Sequence, residues 1–263
     1  MSIRNILYKN RINIVIKNEP INNNINNNKI LKSNIVDNLL PLNTKKLYTA
    51  LIVEPRKHKA LEFVFLNFKN NLKDNEWYFV IYCSIFNKDF VEDIKNKLNI
   101  DIDIIPICDN NLTIPNYNYL LTHKKFYEVI PTNLVLIFQT DTLILNKEII
   151  YDFLKYDYVG APWFNEKDVG NGGLSLRNKS KMLEIINKKG TCYENEDFYF
   201  SFPRKYDIKM NKPTFEEGKR FSVEQCYHDK SFGIHKVWRN LKNQEYQQLI
   251  KLYPEIEILK SLQ

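Results

Sequence analysis

Five short segments carry residue types able to do chemistry. Gln139-Thr140-Asp141 comes directly after the apolar run Asn133–Phe138. In open α/β sheets, ligands bind beyond the carboxyl ends of the strands. A carboxylate there can hold a divalent cation through oxygen, and the cation can act as Lewis acid on a diphosphate. The plainer role for Asp141 is to cap a turn. Tyr156–Trp163 reads Tyr-Asp-Tyr-Val-Gly-Ala-Pro-Trp. Gly160 and Pro162 suit a defined turn, and Trp163 is either a core residue or a flat face for a sugar ring.

Gly170-Asn171-Gly172-Gly173-Leu174-Ser175-Leu176-Arg177 is the third segment. The chain has seven glycines, and four of them lie between Gly160 and Gly173. Clustering in a glycine-poor chain calls for a reason: close backbone approach to a ligand, N–H groups aimed at phosphate or sugar oxygens, or a structural bulge. It is neither a P-loop nor a dinucleotide fingerprint, because it lacks a Gly-Lys-Ser/Thr ending and no helix starts at the right spacing. Glu194-Asn195-Glu196-Asp197 precedes the aromatic run Phe198–Phe200. Carboxylates there can cap a helix or supply a general base for an acceptor hydroxyl. In Phe232–Trp238, His235 is either structural or a metal ligand through its neutral imidazole.

These segments need a scaffold, and the first half of the folded region supplies one. Leu47–Val53, Trp77–Ile85, Ile102–Ile107 and Asn133–Phe138 are strand-like apolar runs. Between them, Lys57–Leu72, Asp89–Leu98 and Asn118–Val129 carry apolar residues at helical spacing. Strand–helix alternation predicts βαβ units and a mostly parallel sheet flanked by helices. After Leu145 turns and short motifs replace that rhythm, and Asn240–Leu262 reads as two short helices separated near Pro254. Residues 1–46 are basic and include the Asn/Ile-rich stretch Ile21–Ile30, which is too polar to repay its ordering entropy. The expected organisation is a flexible extension over 1–46 and a catalytic-type domain over 47–263.

Charge distribution argues against one class. The net charge is +7, but residues 1–46 carry +6 and residues 47–263 only +1. The excess is a solvated tail, which argues against nucleic-acid binding by the domain. Cys83, Cys108, Cys192 and Cys226 make no CxxC pair, so neither a zinc site nor a disulfide framework is indicated. Scattered thiols fit a reducing, cytoplasmic compartment. No signal-peptide-like apolar region opens the sequence, and the uncharged runs fall short of the ~18 residues a membrane span needs.

Taken together and in order, the segments resemble the GT-A glycosyltransferases, and more narrowly the family called domain of unknown function 5672. The matching pieces are Phe138–Asp141, Tyr156–Trp163, Gly170–Arg177, Glu196-Asp197, Phe221–Glu224 and Phe232–His235, within roughly residues 47–240. The resemblance implies a GT-A-like Rossmann-type fold, and transfer of a sugar from a nucleotide diphosphate donor, UDP-linked by preference, to a glycan or protein hydroxyl. It implies that Asp141 and His235 hold Mn²⁺ or Mg²⁺, with Gln139 standing where such enzymes carry the first Asp of Asp-x-Asp. It makes Asp197, with Glu196 beside it, the catalytic base of an inverting reaction, its pKa raised by burial and by Glu196; in a retaining reaction Asp197 positions substrate. Glu54 and Arg56, after the first strand, fall near the nucleotide. Gln139, Thr140, Trp163, Asn171, Gly172 and Gly173 complete the substrate contacts. The alternative is a non-catalytic nucleotide- or sugar-binding module on the same fold. A nucleotidyltransferase would carry a glycine-rich, basic signature near its first strand, and Leu47–His58 contains no glycine.

Overall fold

Strand β2 is Trp77–Ser84, the strand following β1 (Tyr48–Val53), and it shows how the core is built. All eight of its residues are buried. Phe79, Ile81 and Cys83 enter one apolar layer, and Tyr78, Val80 and Tyr82 enter the other. A strand covered on both faces reads as an unbroken apolar run. The same alternation sorts β4 (Leu134–Phe138), with Leu136 and Phe138 on one side and Val135 and Ile137 on the other. The computed structural model describes residues 35–166, 168–203 and 207–263.

The first half alternates as its sequence predicts: β1, α1 (Leu61–Asn71), β2, α2 (Lys88–Leu98), β3 (Ile102–Cys108), α3 (Ile114–Leu121), α4 (Lys124–Glu128), β4. Helix α1 buries Leu61, Val64, Phe65 and Phe68, one apolar stripe at helical spacing. Each such side chain contributes about 1.5–3 kcal/mol on burial. Phe68 stacks on Phe138 with ring centroids 3.9 Å apart, so α1 braces the end of β4 where Gln139–Asp141 begins. The single helix predicted over Asn118–Val129 is two helices. His123 caps the second by accepting from the Lys125 amide, and the Thr122 hydroxyl donates to the Asn118 carbonyl and, across the fold, to the Cys192 carbonyl, so side-chain bonds interrupt the helix.

Next come β5 (Thr142–Ile144), a 3₁₀ helix (Lys147–Asp152), β6 (Tyr158–Trp163), β7 (Asp168–Asn178), α5 (Lys179–Lys189), α6 (Glu196–Ser201), α7 (Phe215–Phe221), β8 (Ser222–Val223), β9 (Gly233–His235), α8 (Val237–Asn240), α9 (Asn243–Leu252) and α10 (Glu255–Ser261). The main sheet has the order β3-β2-β1-β4-β7-β6. Its first four strands are mutually parallel, while β7 runs antiparallel to β4 and to β6. The chain leaves β1 toward β2 and β3 and returns on its other side as β4, which makes the β1/β4 edge a topological switch point. A second sheet, β5-β9-β8, stands beside it.

Three expectations change. Tyr156–Trp163 is mostly strand β6 rather than a turn, and the glycine-rich segment is part of β7 rather than a loop. The pairing of β6 with β7 shifts register around Ala161. An alanine Cβ at Gly160 would lie 2.0 Å from the Asn171 carbonyl oxygen, so this glycine lets two strands approach closely. The folded region also begins ahead of residue 47: Ile35, Val36 and Leu39 are buried in the layer that holds α3–α6 and belong to the same compact unit as the rest of the described chain. Residues 1–34 of the expected extension lie outside the described residues. Among the described residues no helix is long and apolar enough to cross a membrane.

Candidate active site

Asp141 takes its place from the turn that ends β4. The Thr142 hydroxyl donates to the Gln139 carbonyl at 2.7 Å, closing the turn, and β5 follows at once. Strand β5 pairs antiparallel with β9, with Thr142 opposite His235. That register sets His235 beside Asp141: Nε2 lies 3.2 Å from Oδ1. The other ring nitrogen, Nδ1, lies 3.6 Å from Glu224 Oε1 at the end of β8. Asn240 donates to the same Glu224 oxygen at 3.1 Å. Asp141, Glu224 and His235 are each more than nine-tenths buried.

Backbone space matters as much as side chains here. A Cβ on Gly173 would sit 2.2 Å from the His235 ring, so the imidazole lies flat against glycine backbone. A Cβ on Gly172 would sit 2.2 Å from a Glu196 carboxylate oxygen. Adjacent residues of a strand point to opposite faces, so these two glycines admit the His235 group on one face of β7 and the Glu196-Asp197 group on the other.

Glu196 is held by Arg177, which is completely buried. Nη2 donates to Oε1 at 3.0 Å and Nη1 lies 2.8 Å from Oε2. The guanidinium also donates to the Ser175 hydroxyl and to the Tyr127 hydroxyl, and packs over the rings of Tyr158 and Phe200. The neighbouring Asp197 makes no ion pair among the described residues. Burial, and then the Glu196 charge, push its carboxyl up to about 6, against hydrogen bonds from the Phe198 and Gly172 amides.

Electrostatics run the other way at Asp141. Burial alone would raise its pKa, but His235 and Lys236 outweigh that and hold the carboxyl well below the usual range. For His235 burial opposes the charge, yet Asp141 and Glu224 prevail and push the imidazole up to about 9. Such a histidine stabilises the fold below its unfolded value of 6.5, and this contribution is lost as pH rises through 9.

Glu54 and Arg56 sit at the carboxyl end of β1. Glu54 accepts from Arg56 Nε at 2.8 Å and Nη2 at 2.7 Å. The Asn87 amide donates to the carbonyls of both residues and fixes the loop. The charge of Asp141 reaches Arg56 and His58. Gln139 donates to the Tyr117 hydroxyl at 3.2 Å, and burial and the nearby Glu196 raise the pKa of that tyrosine. Tyr117 thus lies beside Gln139 and within electrostatic reach of Glu196 and Glu54.

Five expected substrate contacts are used internally. Trp163 is 5 % exposed and stacked by Phe198 and Phe202, with centroids at 4.7 and 5.8 Å. It is a core tryptophan, because a large flat ring is best covered by other rings. The Gly173 amide donates to the Asn171 side chain at 3.0 Å and the Gly172 amide to Asp197. These N–H groups of β7 are therefore spent on the protein's own oxygens. Thr140 is buried, and its carbonyl accepts from Gln263 at 2.9 Å. Glu224, Lys236, Tyr117 and Arg177 join the site without having been singled out. Glu224 and Arg177 lie within the motif segments, but nothing in their spacing reveals their partners.

A divalent ion suits part of this arrangement. Asp141 Oδ1 and both His235 nitrogens are buried and make no hydrogen bond. Carboxylate oxygen is an ordinary ligand for Mn²⁺, neutral imidazole is the commonest metal ligand among side chains, and a carboxylate behind the second ring nitrogen, as Glu224 is, commonly orients a ligating histidine. Among the described residues no group of three His, Cys, Asp or Glu side chains forms a ready cage. The protein would supply two ligands and leave the other positions to substrate.

A mostly parallel sheet with an antiparallel edge, a small second sheet and an acidic turn at the switch point define a GT-A-like α/β fold. The glycosyltransferase GlyE of Streptococcus pneumoniae TIGR4 superposes with a TM-score of 0.51 at 9 % identity, over 83 % of this chain and 64 % of that one. The bifunctional glycosyltransferase WbbM superposes with a TM-score of 0.51 at 8 % identity, over 86 % of this chain and 53 % of that one. At such identities the likeness is one of fold, and the chain spans less than two thirds of either protein. The chain belongs to the family described as protein of unknown function (DUF5672), whose model matches residues 101–235. No curated protein matches it.

Proposed function

We propose that this protein is a glycosyltransferase that moves a sugar from a nucleoside diphosphate donor, most simply a UDP-sugar, to a hydroxyl of a glycan or protein acceptor. The observation that carries the reading is the pair of carboxylate groups held on either side of Gly172-Gly173. One is set for a cation and the other for a proton. Asp141 and His235 would hold Mn²⁺ or Mg²⁺, which neutralises the charge growing on the departing diphosphate. Glu224 orients the His235 ring. Glu54 and Arg56, at the neighbouring strand end, face the nucleotide.

Asp197 acts on the acceptor. Its raised pKa makes it a competent base near neutral pH, and the Phe198 and Gly172 amides fix the carboxylate as it takes the hydroxyl proton. The Glu196 charge lifts the Asp197 pKa, and Arg177, paired with Glu196, offsets part of that lift. This assignment gives an inverting reaction. The elevated pKa has a definite sign in catalysis: the base is lost as pH falls through about 6. Initial rates of UDP release from a UDP-sugar should therefore show an acidic limb near that value, falling tenfold per unit below it. Asp197→Asn should abolish turnover with UDP binding retained. A flat rate from pH 7 to 5 would remove Asp197 from the role of base.

A further inference from the structure

Lys236 is built into this site in an unusual way. It follows His235 directly and adopts the left-handed conformation, φ 51° and ψ 34°. That region is disfavoured for a lysine and is retained where the surroundings impose it. Here both ends of the residue are fixed on Asp141: the backbone N–H donates to the Asp141 carbonyl at 3.0 Å, and Nζ lies 3.0 Å from Oδ2. The opposite carboxylate oxygen, Oδ1, is buried and faces His235 Nε2 at 3.2 Å. The lysine side chain is 32 % exposed and the aspartate side chain 12 %, so the ammonium covers the solvent side of a carboxylate that is otherwise enclosed.

We propose that Lys236 is a resident cation that occupies Asp141 in place of a divalent ion, so that ion and lysine compete for one carboxylate. The inference rests on the metal reading above and goes beyond it. Two cations on one buried carboxylate repel at short range, where the low dielectric makes the repulsion strong. Tight divalent binding then requires the ammonium to leave. An anionic diphosphate arriving at the same place gives it a charge-assisted partner. The consequence is coupling: divalent ion and nucleotide each bind weakly alone and strengthen one another.

The test is Mn²⁺ titration of the full chain, read as loss of the free-ion electron paramagnetic resonance signal, with and without UDP. Lys236→Met removes the charge and keeps the stem; Lys236→Gly removes the charge and suits the left-handed backbone, so at least one variant should fold, as thermal unfolding will show. Both should tighten Mn²⁺ binding in the absence of UDP by about tenfold, within the usual range of coupling between sites. Lys236→Arg should behave as the wild type. UDP should tighten Mn²⁺ in the wild type more than in either uncharged variant. If Mn²⁺ binds the wild type and the uncharged variants equally, Lys236 does not compete and this inference falls while the metal reading stands. If no Mn²⁺ binds any form, even with UDP, the metal reading falls and takes the inference with it.

Discussion

Asp141→Ala should lower turnover of a UDP-sugar by about a hundredfold or more, the scale of removing one well-placed electrostatic stabiliser, and should leave the protein folded. Asp141 belongs to neither apolar layer, so its loss removes only its share of the stability that the His235 pairing supplies. His235 keeps Glu224 within 3.6 Å, and without Asp141 its ring can become neutral. The Lys236 ammonium, already partly exposed, can turn to water. Melting temperature and far-ultraviolet circular dichroism should therefore change little, while Mn²⁺-dependent UDP release disappears. Near-normal turnover in a folded Asp141→Ala protein would remove the cation-binding role from the turn after β4.

Arg177→Met should have the largest effect on stability. The guanidinium is fully buried and Glu196 is 5 % exposed, so truncating one partner strands the other charge. Breaking a buried pair in this way costs about 3–5 kcal/mol. At about 2–4 °C per kcal/mol for a chain of this size, the melting temperature should drop by about 6–20 °C. The double variant Arg177→Met/Glu196→Gln should recover part of that loss, because no unpaired charge remains. Calorimetry on the two proteins decides it: a single variant as stable as the wild type would mean that the pair carries no such weight.

The parallel half of the fold is legible because each element there is long enough for its period to show. Trp77–Ser84 and Leu134–Phe138 are unbroken apolar runs, and Leu61–Phe68 repeats at helical spacing. The antiparallel edge is hidden by its own solution to close packing. Gly160, Gly170, Gly172 and Gly173 look like loop residues, yet they let β6, β7 and the site side chains approach within distances no Cβ would permit. Asp141, Asp197 and His235 stand out by position after a strand, before an aromatic run and in a short motif. Their partners do not. Glu224 reaches His235 only because β8 lies parallel to β9, and Arg177 reaches Glu196 across a separation of 19 residues. Such pairings are tertiary and leave no periodic trace. Trp163 illustrates the converse: its type suggested a sugar face, but Phe198 and Phe202 cover it.

The most direct test of the transferase reading is thermal unfolding in the presence of UDP-sugars, each with and without Mn²⁺. A ligand that binds only the native state at a hundred times its dissociation constant adds about 2.7 kcal/mol, a rise of roughly 5–10 °C here. The site built from Asp141, His235, Glu54 and Arg56 should give that rise with at least one UDP-sugar, and the rise should require Mn²⁺. No shift with any nucleotide sugar, with or without the ion, would contradict the reading and leave Asp141 as the cap of a turn.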